Sequence, residues 1–180
     1  PAEREILAAR LHPVKNRIYG EIVAAGRVPL RDGVLALMQE CRSAGVAMAI
    51  ATTTSRANVA ALLSTQLGPA WSTGFAAIVC GEDVARKKPD PEVYLRALGQ
   101  LGVEPGRALA IEDSPDGTAA AHGAGVPVVV TRSVYFATAP IEGALAIGPG
   151  LHTREGWAPA CGPAQGTGIR LADFERWLRG

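Results

Sequence analysis

The chain is poor in cysteine, nearly neutral and without a long apolar run, and each shortage narrows what it can be. Cys41, Cys80 and Cys161 are widely spaced, match no metal-ligand pattern and cannot all pair. That usage suits a reducing compartment, so a cytoplasmic location is expected. The net charge of +1 gives no field for wholesale binding to nucleic acid or to an acidic membrane surface. No apolar stretch approaches the ~18 residues of a membrane span, and no secretory signal pattern opens the chain. His12, His122 and His152 lie far apart with no ligand spacing and read as surface or helix-end residues. No strand is followed by Gly-x-Gly-x-x-Gly, which argues against a dinucleotide-binding oxidoreductase. A starting methionine is also lacking, and the chain opens in a helix-like segment, so a preceding segment is expected.

What is present is an ordinary globular composition, 48% hydrophobic over 180 residues, enough for one domain with a single core and perhaps a small appendage. Residues 1–26 read as helix in two pieces divided at His12-Pro13, with Val14, Ile18 and Ile22 forming one apolar stripe. Residues 27–33 read as a linker with a turn. An amphipathic helix over 34–44 turns Val34, Leu37, Met38 and Cys41 inward and closes at Gly45. Apolar runs at 46–51, 75–80, 108–111, 126–131 and 144–147 read as strands. Helices are expected at 56–67, at 90–101 with Asp90 as N-cap, at 119–122 and at 171–178, and the Gly/Pro-rich stretch 148–168 reads as loop. Strands alternating with helices predict an α/β fold with a doubly wound parallel sheet.

Three strand ends carry polar groups of complementary kinds. Ala108 to Gly117 reads as a buried strand that ends in two carboxylates, Glu112 and Asp113, and turns into a helix capped by Ser114 with Pro115 at its first position. Ligands of open α/β sheets sit beyond the carboxyl ends of strands, where such a pair can hold Mg²⁺ beside a phosphate. The strand ending at Ala51 delivers Thr52, Thr53, Thr54 and Ser55 to a helix start, which favours an anion. Arg86-Lys87-Lys88-Pro89-Asp90-Pro91 is a basic turn stiffened by two prolines, able to hold one lysine inward as a point charge. Each group also has an ordinary reading: an acidic turn, a helix cap, a solvated charge run. Together they suit phosphoryl transfer, which needs charge neutralisation and positioning.

In order and spacing these residues resemble the haloacid dehalogenase-like hydrolases. Ala49-Ile50-Ala51-Thr52 looks like that family's second motif, Lys88-Pro89-Asp90-Pro91 its third and Ile111-Glu112-Asp113-Ser114 its fourth. The stretches 50–58 and 87–98 are similar to the CbbY-like subgroup, sugar-phosphate phosphatases associated with carbon fixation. The resemblance runs from about residue 11 to residue 131. It implies a Rossmannoid core over 29–180 and the end of a helical cap with its hinge over 1–28. It implies that Thr52 bonds the transferred phosphoryl oxygen, Lys88 neutralises nucleophile and phosphate, and Glu112 and Asp113 ligate Mg²⁺. Thr53, Thr54, Arg56 and Asn58 are implied contacts to phosphate or sugar, and the partner is a small phosphorylated sugar.

One part of the pattern is missing. The family's first motif, Asp-x-Asp-Gly-Thr after the first strand, does not occur; the only Asp-Gly-Thr, Asp116 to Thr118, sits at the helix start of the fourth motif. The nucleophile and the general acid/base are therefore absent. So is the central strand that carries them, between the strands ending at Thr52 and Asp113. Removing a strand leaves a gap of about 9.6 Å, and each buried backbone bond left unmade costs on the order of 1–3 kcal/mol. The sheet must close up or receive a strand from elsewhere, and a gapped sheet invites another chain. The expectation is a truncated phosphatase with no turnover by itself, its lineage implying attack by an absent aspartate and then hydrolysis. A catalytically dead phosphate-binding or interaction domain and a phosphoglucomutase-type transferase remain alternatives.

Overall fold

The computed structural model describes residues 2–163 and 165–180, apart from the side chains of residues 2–5, 8, 9, 12, 16 and 24. Pro1 and the His12 side chain lie outside the described residues. Helix α1 (Ala2–Ala24) runs unbroken through Pro13, which corrects the expected division at His12-Pro13. A proline removes one N–H bond from a helix, and the bonds of the neighbouring turns can carry the helix across it. Of the expected apolar stripe of α1, Val14 and Ile18 are exposed and Ile22 is half-buried; Leu7 and Leu11 are exposed as well, while Val23 is buried. α1 packs against α3 (Arg56–Leu67).

Beyond the linker, the α/β alternation follows the sequence. α2 (Val34–Ser43) starts after Gly33, whose φ of 87° and close approach to the Leu151 backbone suit only glycine. Strands β1 (Ala49–Ala51), β2 (Ala77–Val79), β3 (Ala110–Glu112), β4 (Val128–Thr131) and β5 (Ala146–Gly148) coincide with the five apolar runs, each pairing over only three or four residues. α4 (Glu92–Leu101) begins two residues later than expected; Asp90 accepts the Glu92 N–H at 2.9 Å from outside the helix. α5 (Pro115–Gly123) is longer than expected because the Ser114 cap and Pro115 start it at once. α6 (Leu171–Arg179) closes the chain.

The strands are parallel but form two sheets, β1–β2 and β3–β4–β5. Among the described residues β1 and β3 do not pair with each other, Ala49 of β1 is exposed, and Ile111 of β3 is 40% exposed. One face of both sheets is covered by α4 and α5 through a shared core that includes Val79, Val93, Ala97, Ala120, Val128 and Val130. On the other face α3 covers β1 and β2 through Val59 and Leu63, and α2 and α6 cover β4 and β5. Helices on both faces make the fold doubly wound.

The stretch expected as plain loop is built around an ion pair. Arg154 clasps both carboxylate oxygens of Asp173 at 2.5 and 2.6 Å and bonds the Gly162 and Gly168 carbonyls. Trp157 stacks on Trp177 at 4.9 Å, and Ala158 bridges back to Ile147 of β5. The stretch is loop, as expected, and these long-range contacts order it.

Candidate active site

Of the three basic residues in the turn after β2, one is held inward. Arg86 pairs with Asp90 at 2.8 Å and Lys87 is exposed, whereas the Lys88 side chain is only 14% exposed. Glu92 anchors the turn from α4, accepting the Ala85 and Arg86 N–H groups at 3.0 and 2.9 Å; these bonds hold its carboxyl below the usual range.

Lys88 Nζ donates to the Ala51 carbonyl at 3.0 Å and to Glu112 Oε1 at 2.5 Å, joining the carboxyl ends of β1 and β3. The Tyr94 hydroxyl donates to the same Oε1, and its ring centroid lies 5.0 Å from the Lys88 ammonium. Burial, and then the neighbouring Glu112 charge, push the Tyr94 phenol far above its ordinary value, so it stays a donor. Burying an ammonium and a carboxylate is costly, and these extra partners offset part of it. Glu112 also packs where a side chain at 117 would be: a Cβ on Gly117 would stand 1.9 Å from Oε2.

Thr52 prolongs the β1–β2 ladder through its N–H to Val79, and its Oγ1 accepts the Thr54 N–H at 3.2 Å, which leaves its hydroxyl hydrogen to donate. The first turn of α3 is not open to an anion as expected. Ser55 caps the Asn58 N–H, and the Glu82 carboxylate takes the Arg56 N–H at 3.1 and 3.2 Å. A carboxylate from the next loop thus meets the helix-end charge that a phosphate would otherwise meet. Arg56 itself bonds Asp83 at 2.6 Å, and Asn58 bonds Thr54 Oγ1 at 3.3 Å. The structure therefore brings Thr52, Lys88, Glu112 and the adjoining Asp113 to one place. Arg56 is bonded to the loop that follows β2 and Asn58 to Thr54 in the loop that follows β1, where Thr53 and Thr54 lie against Gly81.

Asp113 is part-buried and makes no hydrogen bond or ion pair among the described residues, so its carboxylate is available to a hard cation. Glu112 is of the same chemistry but has one oxygen engaged by Lys88 and Tyr94. No cluster of three His, Cys, Asp or Glu side chains that could hold a metal occurs among the described residues. Two carboxylates still fit Mg²⁺, which keeps several waters and completes its shell with phosphate oxygens.

Two residues escaped sequence reasoning. Tyr94 falls on the inward stripe of α4 with Val93, Ala97 and Leu98, and a phenol at such a position needs a partner. That was the available signal. Arg31, in the linker before α2, donates to Thr131 Oγ1 and O at 2.9 and 3.0 Å, to Arg132 O at 2.8 Å and to Pro149 O at 3.3 Å. It pins the linker to the carboxyl ends of β4 and β5, and carbonyl acceptors 100 or more residues away leave no sequence pattern.

The strand ends of this doubly wound α/β fold gather a lysine, a threonine and two acidic residues, where open α/β folds place their ligand sites. The chain belongs to the haloacid dehalogenase-like hydrolases, whose family model matches residues 2–125. It is 49% identical over 141 residues to the plasmid-borne protein CbbY of Cupriavidus necator, covering 78% of this chain and 56% of that protein. With CbbY of Rhodobacter capsulatus it shares 46% identity over 135 residues, covering 75% of this chain and 59% of the relative. The crystal structure of CbbY from Rhodobacter sphaeroides in complex with phosphate superposes with a TM-score of 0.71 at 40% identity, covering 76% of this chain and 60% of that one. A mutant of the same protein has been crystallised with xylulose-(1,5)bisphosphate. The chain thus spans little more than half the length of these curated relatives. No helix among the described residues is long and apolar enough to cross a membrane.

Proposed function

We propose that this chain is the larger part of a Mg²⁺-dependent sugar-phosphate phosphatase, inactive until a strand bearing the nucleophile is supplied. The observation that carries the reading is the Lys88 ammonium held between the ends of β1 and β3, two strands that do not pair with each other. An inserted strand would end beside it. Residues 1–28 are read as the end of a cap and its hinge, in keeping with the exposed Val14 and Ile18 of α1, and residues 29–180 as the core.

In this reading Lys88, with two of its three hydrogens engaged, turns the third toward a phosphoryl oxygen and neutralises charge there. Thr52 donates its hydroxyl hydrogen to another phosphoryl oxygen. Asp113 and Glu112 would hold Mg²⁺, which when bound stabilises negative charge on the phosphoryl oxygens. Thr53 and Thr54 are read as further substrate contacts, whereas Arg56 and Asn58 would first have to leave Asp83 and Thr54. The relative crystallised with a sugar bisphosphate supports that substrate class.

The test is phosphate release from sugar bisphosphates with Mg²⁺, by the bare chain and by the chain extended at its N-terminus with the first strand of a CbbY relative. The bare chain is expected to be silent and the extended chain active, with activity lost again on Lys88→Met. Turnover by the bare chain, or silence of a folded extended chain, overturns the reading.

A further inference from the structure

We infer that Tyr94 is a positioning residue of this site: its hydroxyl fixes the bearing of Glu112 and its ring steadies the Lys88 ammonium. The inference deepens the phosphoryl-transfer reading and rests on it for its purpose, though not for its geometry. Tyr94 is more than nine-tenths buried on the inner face of α4, and its hydroxyl bonds the oxygen that also receives Lys88. Glu112 is thereby held at one oxygen by Lys88 and Tyr94, while its other oxygen occupies the space that a Cβ at Gly117 would fill. The two donors are not equivalent. Lys88 sits on a flexible stem and is the group a phosphate would draw, whereas Tyr94 has two rotatable bonds inside packed surroundings. A carboxylate held by Lys88 alone would have a single donor, on a flexible stem whose other hydrogens serve the Ala51 carbonyl and the phosphoryl oxygen. With Tyr94 in place it has a second donor, held rigidly by packing. Removing a partner that orients a metal ligand typically weakens metal affinity about 10–100-fold.

Tyr94→Phe isolates the hydroxyl because it keeps the ring and its packing. The readouts are Mn²⁺ affinity by electron paramagnetic resonance, and the NMR signals of the Lys88 ammonium and the Glu112 amide, all on the full chain. Tyr94→Phe is expected to unfold cooperatively, to bind Mn²⁺ about ten-fold more weakly, and to shift both signals. Tyr94→Leu, which also removes the ring, is expected to broaden the Lys88 ammonium signal further. Wild-type Mn²⁺ affinity with both signals unmoved in Tyr94→Phe overturns the inference. Should the wild-type chain bind no Mn²⁺, the metal reading fails separately and the two signals alone decide: shifted supports the positioning role, unmoved refutes it. The wild-type chain offers the same test without a substitution. A Tyr94 phenolic proton bonded to Glu112 gives a slowly exchanging resonance, and its absence counts against the inference.

Discussion

Gly117→Ala asks whether Glu112 is pinned. A Cβ at 117 would stand 1.9 Å from Glu112 Oε2 and 2.4 Å from its Cδ, so the carboxylate must retreat by about 1.5 Å to reach an ordinary 3.4 Å contact. For a mobile surface glutamate that retreat would cost almost nothing. Here it pulls Oε1 away from Lys88, a pair whose side chains are 14% and 9% exposed, and from Tyr94. Separating the partners of a buried pair costs about 3–5 kcal/mol, and alanine in place of glycine in the first turn of α5 returns up to about 1 kcal/mol. The net loss is therefore about 2–4 kcal/mol, a drop of roughly 5–15 °C in Tm for a chain of this size. Urea unfolding of Gly117→Ala, Glu112→Ala and the double variant measures the coupling. With the carboxylate already removed, Gly117→Ala is expected to be neutral or stabilising. An equal loss in both backgrounds would mean that the glycine serves the backbone of α5 and that Glu112 is not held.

Other consequences follow from the ion pair at the C-terminal end and from the linker. Burial, the largest influence on Asp173, raises its pKa, but Arg154 together with the Arg170 N–H and Arg176 outweighs it and holds the carboxyl below its usual value. A lowered carboxyl contributes stability that is present above the unfolded pKa and is lost as pH falls through the folded one. Protection from hydrogen exchange across residues 149–180, relative to the intrinsic rate, should therefore fall as pH drops below about 4. Asp173→Asn should cost about 3–5 kcal/mol at neutral pH and flatten that dependence; an unchanged acid profile would refute the assignment. Arg31→Lys keeps the charge but cannot span Thr131, Arg132 and Pro149 at once. It should lower stability by about 1 kcal/mol and raise hydrogen exchange in residues 27–33; no change there would show that the linker is anchored otherwise.

Much of this was legible in local sequence. The five apolar runs became the five strands, and Ser55 and Ser114 cap the helices they precede. Lys88 turns inward at a proline-stiffened turn, as that turn suggested. These are effects of nearest neighbours: periodicity, a side chain satisfying an N–H three residues on, a ring that restricts φ. Two expectations met a different structure. Pro13 did not break α1, whose neighbouring turns carry the helix across it, and Glu82 from another loop covers the start of α3. In the second case a side chain far away in sequence supplies the deciding energy, as Arg154 does in ordering the loop near the C-terminal end.

The same division holds at the site. The amino-acid sequence by itself determined the doubly wound alternation and which strand ends carry Thr52, Lys88, Glu112 and Asp113, because strand and turn signals are local. Only the tertiary structure decided that Lys88 bonds Ala51 and Glu112 at once, that Tyr94 shares that carboxylate, and that β1 and β3 do not pair with each other among the described residues. Those facts depend on where a buried charge can find partners once distant segments have packed, and no spacing along the chain encodes that.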